Sequence, residues 1–406
     1  MPQIHSLQRK ENVMTERVIG HLQGEYKGPT LVFFGGIHGN EQAGVVALKH
    51  VVKELRMHKT PIYGEIYAIA GNLRALEQNV RFQKEDLNRI WNSERISSIK
   101  SKNGECSAEE IEMLHLHNLL YQVLENENPP FYFIDLHTTS SDTSPFIVMN
   151  DSLLNRKFAS NYPLPIILGI EEYLSGALLS FINEMGYVSL GYESGRHDDI
   201  KSVKNSIDFI HYTLAISGAF NLSNDEVKAL RHKILKSSKV PNMFYEIYFQ
   251  HEIGSGEDFK MLPGFINFQK ITRGEKIAQQ DGNMLMANRK RQIFMPLYQD
   301  QGGEGFYFIR PIPKIFLWAS KGLRRFKADH VLVKLPGVKW ASFKRDAMLV
   351  NLRTAKFLAK SIFHLLGYRA RQLDETHMLV RNREAASKTE EYLNAAWFKN
   401  KRRGPH

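Results

Sequence analysis

The sequence predicts an α/β protein: a mixed, largely parallel sheet flanked by helices, then a smaller β-rich domain and a basic C-terminal extension. Short apolar runs alternate with amphipathic stretches of helical period as far as residue 222, which marks strands joined by helices. From about residue 240 the texture changes to short strands and turns in FYEIYFQHEI, PGFINFQKITRGEKI, GNMLMANRKRQIFMPLY and EGFYFIRP. Residues 316–406 carry no such alternation and an excess of Lys and Arg. The expected division is 1–225, 236–315 and 316–406.

Strands are expected at 30–36, 63–70, 131–136, 145–149, 164–169 and 187–193. LVFFGG and FYFIDL are nearly continuous apolar runs, the texture of strands covered on both faces. Helices are expected at 41–58, 107–125, 171–185 and 203–219, where apolar residues recur three and four apart. Residues 92–106, NSERISSIKSKNGEC, read as a polar loop, either a lid or a connector. VNLRTAKFLAKSIFHLLGY, residues 350–368, reads as a helix whose apolar face packs on the body or on another subunit, so a homo-oligomer is left open.

Composition narrows the class. With 406 residues, 43% hydrophobic and 24% charged, the chain is long enough for two domains and is not disordered. A single cysteine, Cys106, excludes an intramolecular disulfide and suits a reducing compartment. MPQIHSLQRKENVMTERVIG holds no apolar h-region, and no run approaches the roughly 18 apolar residues of a membrane span, so a cytoplasmic protein without a membrane partner is expected. From Lys321 onward 20 Lys and Arg face 7 Asp and Glu, +13, which leaves 34 against 36, −2, for residues 1–320 out of a total of +11. Such a field attracts polyanions. No aromatic and basic interleaving accompanies it, so a soluble appendage or an oligomer contact is the reading and a nucleic-acid partner is not.

The chemistry begins at LVFFGGIHGNEQAG, residues 31–44, where a strand ends in a glycine turn carrying His38 and Glu41 at H-x-x-E spacing. Imidazole and carboxylate are both good zinc ligands, and a catalytic zinc takes three protein ligands and keeps one position open. His137, after FYFIDL, is the best third ligand, because parallel strands bring their carboxyl ends to one edge of a sheet. Among 16 histidines H-x-x-E arises by chance. The joint pattern of glycines, preceding strands and a nearby carboxylate favours ligation over a structural histidine. Asp135, two residues before His137, either orients that imidazole or caps a turn.

GGIHGNE, NVRFQKEDLNR at 79–89, DLHTT and GYESG at 191–195, in that order, resemble the aspartoacylase and succinylglutamate desuccinylase family of zinc hydrolases, relatives of the zinc carboxypeptidases. The resemblance covers roughly residues 28–310. It implies one Zn²⁺ per chain held by His38, Glu41 and His137, and Glu193 as the carboxylate that activates water and then protonates the leaving amine. It also implies Arg81 as the cation that polarises the scissile carbonyl, and Asn88 with Arg89 as the pair that grips a substrate carboxylate. Tyr307 corresponds to a tyrosine reaching the substrate from the second domain, with Tyr298 the other candidate; that second domain is expected to cover the pocket mouth.

Two departures from the family pattern stand out. The stretch SGALLSFINEMGYVSLGYE holds no arginine before Glu193, where aspartoacylases carry one that reads aspartate. Ser194 replaces a small apolar residue, and Arg196 and His197 follow, offering a different contact to substrate. The implied activity is hydrolysis of a small N-acyl amino acid to a carboxylic acid and an amino acid. A metallocarboxypeptidase of short peptides and a metal-retaining binding protein are the alternatives.

Overall fold

The computed structural model describes residues 15–102, 104–325, 329–343, 345–355, 363 and 367–399. Its strands begin with β1 (Val18–Gln23), β2 (Tyr26–Gly35), β3 (Tyr63–Ala70), β4 (Phe131–Thr139), β5 (Phe146–Val148), β6 (Ile166–Leu168) and β7 (Val188–Arg196). They continue with β8 (Phe244–Glu252), β9 (Phe259–Met261), β10 (Lys270–Ile271), β11 (Lys276–Gln280), β12 (Asn283–Met286), β13 (Arg291–Phe294) and β14 (Glu304–Pro311). The helices of this part are α1 (Ala43–His58), α2 (Leu73–Gln78), α3 (Ser93–Lys100), α4 (Ala108–Asn126), α5 (Leu153–Ala159), α6 (Leu178–Glu184), α7 (Ile200–Ser217) and α8 (Asn224–Ser237).

One mixed sheet dominates, in the order β1-β3-β2-β4-β7-β5-β6-β8-β14-β13-β10. The run β3-β2-β4-β7 is parallel and forms its centre. All nine residues of β4 are buried, and they alternate between two cores as a two-residue side-chain period requires. Tyr132, Ile134 and Leu136 pack with residues of α1 and α7; Phe131 and Phe133 pack with residues of α3 and α4. Burial of each such side chain contributes on the order of 1.5–3 kcal/mol, and this double cover explains why β2 and β4 read as unbroken apolar runs.

The β-rich segment after residue 240 is present, but its longest strands, β8 and β14, with β13 and β10, extend the central sheet; β12-β11-β9 form a separate small sheet. The expected helix over 171–185 is broken: only a turn at Ile170–Glu172 and α6 remain. Gly176 sits between them at φ +71, against the Arg89 carbonyl, where a Cβ would lie 2.0 Å from that oxygen. Residues 92–106 are not a simple loop. Asn92 caps α3 through the Arg95 amide, and Ile96 and Ile99, three apart, bury one face of it.

The C-terminal extension contributes a helix α9 (Lys314–Arg325) and an antiparallel sheet of β15 (Val338–Trp340), β16 (Ala347–Asn351), β18 (His377–Asn382) and β17 (Tyr368–Gln372). The helix expected over 350–368 is met at its ends by β16 and β17, and 356–362 and 364–366 lie outside the described residues. Rather than hanging free, the extension enters the main core. Trp397 Nε1 donates to the Tyr132 hydroxyl at 2.8 Å, and the Tyr392 hydroxyl donates to the Phe131 carbonyl. Among the described residues no helix is long and apolar enough to cross a membrane.

Candidate functional site

β2, β4 and β7 are adjacent parallel strands, so their carboxyl ends open on one edge. The chain leaves β2 through Gly36, at φ +74, and Gly39, where a Cβ would lie 2.1 Å from the backbone of Ala75. Glycine at these positions lets the backbone fold tightly enough to aim His38 and Glu41 back at β4. His137 lies within β4 and pairs in register with Glu193 on β7. The edge opens into a cavity of about 1030 Å³, including space open to solvent, and His38, Glu41, His137, Glu193, Arg81, Asn88, Arg89 and Tyr307 all line it.

His38, Glu41 and His137 are buried and offer ligand atoms within 4.8 Å of one another. His38 Nδ1 lies 2.7 Å from Glu41 Oε1, and His137 Nδ1 lies 2.9 Å from Glu41 Oε2. The opposite ring nitrogens face carboxylates: His137 Nε2 meets Asp135 at 2.7 Å and His38 Nε2 meets Asp86 at 3.2 Å. A carboxylate on Nε2 favours the proton there, which leaves both Nδ1 atoms as acceptors turned toward a third acceptor, Glu41. Acceptors so placed need either protons between them or a shared cation, and the pattern of imidazoles backed by carboxylates is that of metal-ligating histidines. The donor set therefore fits a zinc-type ion. Burial pushes the Glu41 carboxyl up, but with protons rather than a cation between them, His38 and His137 outweigh it and hold it well below the usual range.

Glu193 behaves in the opposite way. Burial, with repulsion from Glu41 and Asp135, raises its carboxyl to about 8 against the pull of His137 and Arg81. Its Oε2 has no hydrogen-bond partner among the described residues. A carboxyl held near neutrality by burial, with one oxygen free of hydrogen bonds on a residue that lines the cavity, is equipped to take and give a proton.

Asp86 organises the other wall, a role that the sequence did not signal although it lies within the DLNR string. It accepts from Arg81 Nη2 at 2.9 Å and from the Asn88 amide at 2.8 Å, and it contacts His38. Burial would raise its carboxyl, but Arg81, His38 and Arg89 hold it well below the usual range. Asn88 Oδ1 accepts the Leu178 amide at 2.9 Å, which leaves its Nδ2 group to donate. Arg89 is ion-paired: its Nε and Nη2 donate to Glu304 at 3.3 and 3.0 Å, and Nη1 donates to the Asn88 carbonyl at 2.9 Å. Three of its five N–H groups are thus used, and two remain.

Glu304 had no sequence signal. It reaches the pocket with Tyr307 because a bulge between Glu304 and Phe306 shifts the strand register, so that residues on opposite faces of a regular strand share one wall. Tyr307 is buried, and burial with Glu304 nearby raises its hydroxyl far above the usual value. Tyr298 instead donates to the Leu262 carbonyl and does not line the pocket. Of the pair after Glu193, His197 lines the pocket between Thr138 (2.7 Å) and Gln299 (3.1 Å), whereas Arg196 is exposed beside Asp142.

The fold and the site define an α/β protein with a buried His–Glu–His cluster and a raised carboxyl at the carboxyl edge of its parallel strands. Residues 27–201 match the succinylglutamate desuccinylase/aspartoacylase catalytic domain family. The chain is 29% identical over 122 residues to aspartoacylase of Xenopus tropicalis, 30% of this chain and 38% of that one. It is 31% identical over 114 residues to the N-acyl-aromatic-L-amino acid amidohydrolase (carboxylate-forming) of Xenopus tropicalis, 28% of this chain and 34% of that one. The chain thus spans little more than a third of the length of these relatives. A solved succinylglutamate desuccinylase/aspartoacylase structure from Rhodobacter sphaeroides superposes with a TM-score of 0.53 at 16% identity, covering 72% of this chain and 88% of that one, which establishes a shared fold.

Proposed function

We propose that the protein is a zinc-dependent amidohydrolase that cleaves a small N-acyl amino acid into a carboxylic acid and a free amino acid. The observation that carries this reading is the pairing of a three-ligand cluster with a raised, unpartnered carboxyl on adjacent strands. His38, Glu41 and His137 would hold one Zn²⁺, which when bound supplies Lewis acidity toward water and an amide carbonyl. Asp135 and Asp86 fix the two imidazoles. Glu193 takes a proton from water at Oε2 and delivers it to the departing nitrogen, so that the amine leaves neutral. Arg81, held by Asp86, stands beside Glu41 with Nη1 3.6 Å from Oε1, where a fixed cation stabilises charge developing on the carbonyl oxygen. The remaining donors of Arg89 and the Asn88 amide hold the substrate carboxylate, and Tyr307 closes the same wall.

The family match and the likeness to relatives named for N-acyl amino acid cleavage support this reading. The chain would divide at 1–225, 236–315 and 316–406, with the middle segment over the pocket mouth, and one unpaired cysteine would suit a cytosolic setting. A metallocarboxypeptidase would use the same groups. The deciding experiment is a panel of N-acyl amino acids and dipeptides offered to zinc-loaded protein. Release of free amino acid from the acyl series is expected, and turnover confined to dipeptides would transfer the assignment to a peptidase.

A further inference from the structure

Away from the reacting groups, the cavity wall carries a second buried carboxylate that the chemistry above does not use. Glu171, on the turn after β6, is 2% exposed and lines the cavity together with Asn150, Ser180 and the apolar Ile170, Leu174 and Leu179. One of its oxygens is fixed: Oε1 accepts the Asp151 amide at 3.1 Å and pairs with Arg383 Nη2 at 3.1 Å. The other, Oε2, is buried and has no hydrogen-bond partner among the described residues. A buried carboxylate oxygen left without a donor is costly, so a pocket built this way favours a ligand that brings one.

Arg383 does not cancel that preference. It also pairs with Glu172 and, through Nη1 at 3.1 Å, with Asp151, which Arg156 and Arg324 hold as well, so the Arg383 guanidinium is shared among three carboxylates. Arg383 comes from the C-terminal extension, which therefore helps to build the floor of the pocket. Strand register places this floor at a distance from the reaction. Phe146 of β5 pairs with Glu193, and Asn150 lies four residues further on, up to roughly 13 Å of extended chain. The wall between is apolar, and Ser180, whose hydroxyl donates to Asn150 Oδ1 at 3.1 Å, keeps its own oxygen as a second acceptor.

We infer that Glu171, with Ser180, forms a subsite for an ammonium group at the end of an aliphatic arm of the substrate. This rests on the reading of the pocket as an N-acyl amino acid site and gives it a substrate class: amides whose side chain or acyl group ends in a primary amine. Either arm brings the same chemistry to Glu171.

Binding and turnover test the two claims separately. In zinc-loaded Glu193→Gln protein, calorimetry compares Nα-acetyl-ornithine with Nα-acetyl-norleucine, and N-(4-aminobutanoyl)-alanine with N-pentanoyl-alanine. Each pair is matched in length and differs in the amine. The amine-bearing member of one pair is expected to bind about tenfold or more tightly, and the pair that discriminates shows which arm reaches Glu171. Adding Glu171→Gln should erase the difference and leave the apolar member's affinity within about threefold. Equal binding within both pairs overturns the subsite, as does a preference that survives Glu171→Gln. Should Glu171→Gln not fold, the ratios in the parent background decide alone. Tight, amine-selective binding without turnover in the unsubstituted protein would keep the subsite and remove the hydrolase assignment instead.

Discussion

His137 and Glu193 are register partners on adjacent parallel strands, so one ladder positions both a metal-type imidazole and the carboxyl beside it. The pairing matters because a strand's side-chain period is two residues: a slip by one position would turn Glu193 out of the pocket while leaving His137 in it. Strand order puts β4 between β2 and β7, so His38 and Glu41 arrive from one side of His137 and Glu193 from the other.

The cluster predicts a metal stoichiometry. Purified protein should hold about one zinc per chain, and His38→Ala or His137→Ala should remove most of it, because loss of one of three protein ligands opens the coordination shell. Elemental analysis after dialysis measures this, and full retention in both variants would dissolve the site.

Glu193→Gln separates metal binding from proton transfer. The amide keeps the shape and cannot shuttle a proton, so zinc content and fold should persist while turnover falls by on the order of 10² to 10⁴. Near-normal turnover would move the acid/base role to another group.

Much of this site was legible because its chemistry is attached to backbone features that leave a trace in sequence. Glycines at a strand end, an apolar run before His137 and another before Glu193 all reflect a buried sheet edge, and the structure brings those residues into one cavity. Asp86 and Glu304 were not legible, since an acidic residue in a polar segment looks the same whether it is solvated or holds two arginines in place. Their roles depend on which strands meet. The helix expected at 171–185 failed on Gly176, whose left-handed backbone answers to a contact with the distant Arg89 carbonyl. Residues 92–106 failed the other way, a polar surface concealing two isoleucines that anchor α3. The extension was misjudged as an appendage because its basic net charge hides a few aromatic residues that are buried in the core.

Trp397 tests that last point. It is 4% exposed, packs edge-on against Phe158 at 4.9 Å and donates to Tyr132, all within the main core. Trp397→Ala should cost about 3–5 kcal/mol, whereas Trp397→Phe, which keeps most of the packing and loses the donor, should cost about 1–3. Urea unfolding of the whole chain measures both. A negligible loss in the alanine variant would restore the picture of a detached extension.

Asp151 makes an acid-dependent prediction. Burial would push its carboxyl up, but Arg156, Arg324 and Arg383 outweigh it and hold it well below the usual range. A carboxyl depressed in the folded state adds stability that is present above its unfolded value, about 3.9, and is lost as pH falls from there toward the folded value. At pH 7, Asp151→Asn leaves three guanidiniums short of a partner and should cost about 3–5 kcal/mol. The gap between parent and variant should narrow between pH 5 and pH 3, read from urea midpoints at each pH. A gap that is constant or widens in acid would show that Asp151 is not ionised in the folded protein.

Arg89 decides what the pocket reads at its carboxylate end. Its guanidinium is held by Glu304 and the Asn88 carbonyl, yet two N–H groups remain, enough for a fork onto a substrate carboxylate. Arg89→Ala should therefore weaken substrates with a free carboxylate and have little effect on the same amides blocked as methyl esters, which should already be poor for the parent. Because Arg89 would both anchor the ground state and place the amide over the metal ligands, KM and kcat should suffer together, and kcat/KM is the quantity to compare. The same assays address the side chain. No arginine precedes Glu193 on the segment that supplies one in aspartoacylases, and Arg196 is turned away beside Asp142, so N-acetyl-aspartate should show no advantage over neutral N-acetyl amino acids. A strong aspartate preference would mean that a cation elsewhere in the chain reaches the substrate, and would set this protein beside the aspartoacylases in specificity as well as in fold.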